Sequence, residues 1–156
     1  MKILNYLKAN NIFLNLLLRD KNEAIRFAAD NFVKGEAVKD AENLYRGMIE
    51  RENTMSTGIG GGIGLPHATS IEAEDAAVVL IRLAEPIEFD SIDGHRVDIV
   101  MALVIPENRT SLHLQLLAGI SRLCKNSEFL DAVRQESSSE ILWQKISEFE
   151  EKMTFH

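Results

Sequence analysis

Apolar residues recur at helical spacing through the first third of the chain, then gather into unbroken runs. Ile3, Leu4 and Leu7 predict a short helix over Met1–Ala9, near the lower length limit for one. Ile12–Leu18 is apolar and short, which fits a buried strand or the start of a helix; the strand is preferred. Asp20 followed by Glu23 has capping-box spacing. Ala24, Ile25, Ala28, Ala29 and Phe32 then share one helical face, and Gly35 supplies the stop. Asp40 opens a second helix with Leu44, Tyr45, Met48 and Ile49 on its inner face, running out near Arg51.

The period then changes. Ala76–Ile81 predicts a central strand, because a continuous apolar run implies cover on both faces. Pro86 is expected to break it, leaving Ile87-Glu88-Phe89 as an edge strand. Asp93-Gly94 is a hairpin turn dipeptide, and the next strand runs Val97–Ile105 to Pro106. Thr110 is expected to cap a helix through Cys124 with Leu112, Leu116, Leu117, Ile120 and Leu123 inward. Asn126-Ser127 restarts a short helix over Glu128–Gln135. Ser137 and Glu140 repeat the capping-box spacing before a last helix, about Ser138–Lys152. Helices, then strands, then helices predict an α/β fold, a three-layer α/β/α sandwich.

The segment Arg51–Thr69, RENTMSTGIGGGIGLPHAT, fits neither period. Five of the nine glycines (Gly58, Gly60, Gly61, Gly62 and Gly64) fall within it, and it closes on Pro66-His67. Glycine lets a backbone approach a ligand closely, and proline stiffens the stem before His67. Backbone N–H groups bind phosphate oxygens, and neutral imidazole is a usable nucleophile near pH 7. Against this, glycine-rich loops most often serve as turns, and a lone histidine is most often structural. The spacing fails the nucleotide fingerprints: Ile63 or Leu65 stands where a third glycine is needed, and no Gly-Lys-Ser/Thr follows.

The 156 residues fit one domain, 1–156, able to bury a core without staples. A net charge of −7 argues against general nucleic-acid binding. A single cysteine, Cys124, allows no internal disulfide and fits a reducing cytoplasm. No secretory signal opens the chain, and its apolar runs are too short for membrane insertion. Cys124 falls on the apolar side of its helix and reads as core.

Four histidines remain. His95 sits in the hairpin turn and His156 at the end of the chain, where solvent-facing or terminal roles are the default. His113, under a Thr110 cap, lies in a first helical turn that attracts anions, although a partly buried helix histidine fits equally well. Arg51 could fork onto phosphate oxygens or pair with Glu50 or Glu52 at the surface; alone, the surface pair is the simpler reading. No spacing matches a zinc site or a serine-nucleophile elbow.

Taken together, Arg51-Glu52, Ser56-Thr57-Gly58-Ile59-Gly60, Gly62-Ile63 and Pro66-His67 closely resemble the signature of the mannitol/fructose/nitrogen-type enzyme IIA of the bacterial phosphoenolpyruvate-dependent phosphotransferase system. The likeness continues through Pro86–Asp90, Ile92-Asp93, Val97-Asp98, Ala102–Pro106 and His113-Leu114, and covers nearly the whole chain. The resemblance implies a mixed central sheet and a phosphohistidine at His67, with His113 and Arg51 completing the catalytic set. It implies phosphate contacts from Thr57, Gly58, Gly60 and Gly62. It further implies phosphoryl transfer from the carrier HPr, or its nitrogen-type paralogue, to an enzyme IIB cysteine or towards regulatory target proteins, with no ATP, metal or organic cofactor. The nitrogen-regulatory branch is the nearest likeness, a sugar-transport IIA the runner-up, and a silent binding or sensor module the third reading. Two positions depart from the family: Gly61, where Asn or Glu is frequent, and Gly64-Leu65, where Ala-Ile is common.

Overall fold

The computed structural model describes residues 2–154. Strand β1 (Ile12–Leu16) precedes α1 (Lys21–Lys34) and α2 (Ala41–Thr54). The glycine-rich segment folds as β2 (Gly58–Gly60), β3 (Ile63–Gly64) and β4 (His67–Ser70). β5 (Ala77–Ile87) and β6 (Val97–Pro106) follow, and then α3 (Thr110–Cys124), α4 (Ser127–Gln135) and α5 (Ser139–Thr154).

One six-stranded mixed sheet runs β1-β5-β6-β3-β2, with β4 also on β6. β5 and β6 are antiparallel, whereas β1 on β5, and β3 and β4 on β6, are parallel. β6 shows why its sequence is continuously apolar. Ile99, Met101, Leu103 and Ile105 face a core shared with α3, α4 and α5, while Val100, Ala102 and Val104 face the core under α1 and α2. Burial on both faces is what a strand inside a three-layer sandwich requires. β3 and β4 take successive stretches of β6, Ile63 opposite Ile99 and His67 opposite Leu103, so the chain between them is carried extended along one strand.

Several local expectations change. Within the described residues, the expected Met1–Ala9 helix is replaced by 3-10 turns at Ile3–Asn5 and Ala9–Asn11. Tertiary partners take over its backbone groups: the Glu150 carboxylate accepts the Ile3 and Leu4 N–H groups, and Trp143 Nε1–H donates to the Leu7 carbonyl. β1 stops at Leu16, past Asn15 with φ 60° and a register shift. The α1 terminus turns left-handed at Glu36, φ 64°, instead of at Gly35. Glu36 N–H donates to Val33 O and Ala37 N–H to Phe32 O, which closes a Schellman motif without glycine.

Pro86 does not end β5. The ladder already shifts register between Arg82 and Ile87, so the missing N–H interrupts no regular pairing there. Ile87 closes β5 opposite Val97, and no separate edge strand forms at 87–89. α2 continues past Arg51 to Thr54, where the Arg51 guanidinium donates to Met55 O and the Thr54 hydroxyl to Glu50 O. Arg109, not Thr110, occupies the α3 cap position and makes no side-chain cap bond. In α5 the Ser138 hydroxyl, one residue after Ser137, accepts the Ile141 N–H.

Candidate functional site

His67 opens β4, and the two residues before it decide how its ring is held. Leu65 and Pro66 are buried and keep the parallel register of β3 and β4 along β6, an extended course that suits the residue before a proline. The Leu65 carbonyl lies 2.7 Å from His67 Nδ1. A carbonyl only accepts, so Nδ1 carries the proton and the lone pair of the neutral ring is on Nε2. His67 is only 6% exposed.

α3 brings the second imidazole. His113 is the fourth residue of the helix, its N–H bonded to Arg109 O. Its ring meets that of His67 nearly edge-on, with centroids 5.4 Å apart and planes at 75°. The third group comes from the last turn of α2, which packs on β4 where Gly47 approaches Ala68. From there the Arg51 charge reaches both histidines. Burial pushes the His67 pKa below its ordinary value, the Leu65 hydrogen bond works the other way, and Arg51 and His113 push it further down. His113 is lowered by burial and then by Arg51. Both imidazoles are therefore neutral at pH 7, poised to donate electrons or accept a proton.

Of the expected phosphate contacts, the structure engages two within the protein. Thr57 N–H and O–H both donate to the Glu52 carboxylate, at 2.7 and 2.5 Å. Gly58 N–H donates to Ser56 Oγ. Gly60 and Gly62 flank the tip of the β2–β3 hairpin; the segment from Gly62 to His67 spans at most about 16 Å when extended. Positive φ angles of 98°, 67° and 84° at Gly60, Gly61 and Gly62 make that tip. It is pinned from outside: Gly61 N–H donates to Asp93, and Arg134 bridges Gly61 O and Asp98. The structure thus joins His67, His113 and Arg51, and leaves Gly60 and Gly62 at the hairpin's far end.

The Gly64 departure has a local reason. A Cβ on Gly64 would lie 2.8 Å from the fully buried Phe89 ring, so the space of an alanine methyl is already filled. His95 is exposed, and its N–H donates to Asp93. His156 lies outside the described residues. Burial pushes the Cys124 thiol up to about 12, consistent with core packing.

Residues 5–149 match the family described as phosphoenolpyruvate-dependent sugar phosphotransferase system, EIIA 2. The chain belongs to this EIIA family. It is 32% identical over 105 residues to a nitrogen regulatory protein of Pseudomonas aeruginosa, an alignment covering 67% of this chain and 68% of the relative. It is 29% identical over 128 residues to the fructose-specific EIIA component of Haloferax volcanii, covering 82% and 83%. The crystal structure of nitrogen regulatory protein IIA-Ntr from Neisseria meningitidis superposes with a TM-score of 0.86 at 26% identity, covering 92% of this EIIA chain and 98% of that one. Among the described residues, no helix of this EIIA protein is long and apolar enough to cross a membrane.

The sequence shows Glu52 only as a candidate surface partner of Arg51 and as part of the Arg51-Glu52 match, and it gives Lys21 no role. Glu52 is 4% exposed and accepts from Lys21 Nζ at 3.2 Å as well as from Thr57. A cue to its buried role is an acid in the last turn of α2, where the helix dipole disfavours negative charge.

Proposed function

We propose that this EIIA protein is a cytoplasmic phosphocarrier in which His67 Nε2 accepts a phosphoryl group from the phosphohistidine of HPr or its nitrogen-type paralogue. The observation that carries the reading is the 2.7 Å contact from His67 Nδ1 to the Leu65 carbonyl. It keeps the proton on Nδ1 and leaves the Nε2 pair free to attack phosphorus. As the Nε2–P bond forms, the donor N–P bond breaks and its electron pair returns to the donor ring. Nδ1–H stays on Leu65.

Arg51 and His113 are placed to meet the charge on the equatorial oxygens, where positioning and electrostatics supply most of the catalysis. Thr57 and the glycines Gly58, Gly60 and Gly62 shape the hairpin that carries the His67 stem. Exposed Met55, at the end of α2, and exposed Leu114, next to His113, offer apolar area for a protein donor. The phosphoryl group then passes to an enzyme IIB cysteine or serves a regulatory target. The likeness to the Pseudomonas and Neisseria proteins favours the nitrogen-regulatory role; the likeness to the fructose-specific component makes sugar transport the second reading.

Incubation with phosphoenolpyruvate, enzyme I and HPr, followed by intact-mass analysis, tests the proposal. One acid-labile, base-stable phosphoryl group on His67 is expected, absent from His67→Ala. Label on a serine, or persisting in His67→Ala, overturns the assignment.

A further inference from the structure

Glu52 is a carboxylate in an unfavourable place. It is almost fully buried, with 1% of its side chain exposed, and stands in the last turn of α2, where the carbonyl end of the helix repels negative charge. Its partner Lys21 is the first residue of α1, at the pole that repels positive charge. Both residues violate the local helix preference in order to meet each other. Such violations concentrate where a site demands them.

From Glu52 a continuous chain of hydrogen bonds leads to the candidate nucleophile. The carboxylate accepts the Thr57 N–H and O–H. The Thr57 carbonyl accepts the Leu65 N–H at 3.0 Å. The Leu65 carbonyl in turn takes the His67 Nδ1 proton. On its other side Glu52 is the covalent neighbour of Arg51. Lys21 locks the arrangement from above: besides Glu52 it reaches Asp90 at 3.4 Å and lies 4.8 Å from the centre of the Phe89 ring. Phe89 is itself held to the segment, since the Ser56 hydroxyl donates to its carbonyl.

We propose that Glu52, held by Lys21, is a positioning residue that fixes the His67 tautomer through Thr57 and Leu65 while setting the Arg51 guanidinium beside the two imidazoles. The catalytic consequence rests on the phosphocarrier reading above; the tautomer does not. Glu52→Gln keeps the shape but brings an amide against Thr57 and Lys21, removing both the charge and half of the accepting capacity. Thr57→Val deletes the hydroxyl, and Thr57→Ser restores it.

The test is long-range nitrogen–proton NMR of the imidazoles, with phosphoryl transfer from phosphorylated HPr measured on the same samples. Wild-type His67 should show one tautomer, protonated at Nδ1. Glu52→Gln and Thr57→Val should give mixed tautomers and a transfer rate lower by about tenfold to a hundredfold, the range found when the outer hydrogen-bond partners of metal-binding histidines are lost. Thr57→Ser should recover both. A pure Nδ1–H tautomer together with transfer within twofold of wild type in Glu52→Gln overturns the proposal. If Glu52→Gln fails to fold, the Thr57 pair decides on the same two readouts. A wild-type protein that accepts no phosphoryl group, yet shows the tautomer shift in the variants, removes the phosphocarrier reading and leaves the positioning role standing.

Discussion

His67 opens β4 and His113 lies in α3, well beyond it in the chain, yet their rings meet edge to face with centroids 5.4 Å apart. At this range a charge on the His113 ring is felt by His67 and disfavours its protonation.

That coupling has a measurable consequence once His67 is loaded. A phosphoryl group brings roughly two negative charges to the ring, by analogy with other phosphorylated side chains. His113, now held low by burial and Arg51, should rise in pKa on phosphorylation, whereas exposed His95 should hardly move. Histidine NMR titrations of the free and phosphorylated forms will show it. Equal behaviour of His113 and His95 would place His113 outside the site.

The lowered His67 pKa also sets the direction of acid effects. Between the depressed folded value and the ordinary value of about 6.5, the unfolded chain binds more protons than the folded one, so stability rises with pH. The contribution is complete above about 6.5 and is lost as pH falls through the folded value. Substituting His67 with glutamine should flatten that part of a stability profile measured by chemical denaturation. For the same reason, phosphoryl acceptance by wild type should reach half its maximum at a pH below 6.5, as seen in a pH–rate profile.

Arg51 donates to Met55 O and, among the described residues, forms no ion pair with Glu50 or Glu52; Glu52 is taken by Lys21 and Thr57. Arg51→Ala should therefore slow transfer by about 100-fold, the scale of losing one oxyanion donor, while stability shifts by no more than about 1 kcal/mol. Both histidine pKa values should rise in the variant, since Arg51 holds them down. Unchanged rates with unchanged titrations would return Arg51 to a surface role.

Gly64→Ala should destabilise the protein even though alanine is common at this place in the family. The new methyl would meet Phe89 at 2.8 Å, and overpacking of this kind costs about 1–3 kcal/mol. Pairing it with Phe89→Leu should recover part of the loss in urea denaturation; strict additivity of the two would contradict the contact.

Cys124, with its thiol pushed up to about 12 by burial, should resist alkylation at pH 8 in the folded protein and react at once in denaturant. Rapid labelling under native conditions would show that the inner face of α3 opens readily.

The helix faces and the β6 run were legible because burial imposes a period, 3.6 residues on α1–α3 and none on a strand covered on both sides. Caps were legible where the side chain does the capping, as with Asp20, Asp40 and Asn126. They were missed where backbone geometry does it alone, at Arg109 and Glu36. The amino-terminal turns were misread because Glu150 and Trp143, more than 130 residues away, decide what the backbone there does. The resemblance named three of the groups at the site. The pairing of Glu52 with Lys21 stayed hidden because it joins two helices that the sequence shows only as separate segments.

The hydrogen bond that pins His67 to its own stem also limits how cargo can travel. A side chain anchored at one ring nitrogen, on a residue mounted in a sheet, has no arm to swing from one client to another. If it carries phosphate, every hand-over is a separate collision, and giver and receiver must queue for the same doorway. An excess of either unloaded client would then jam the traffic of the other.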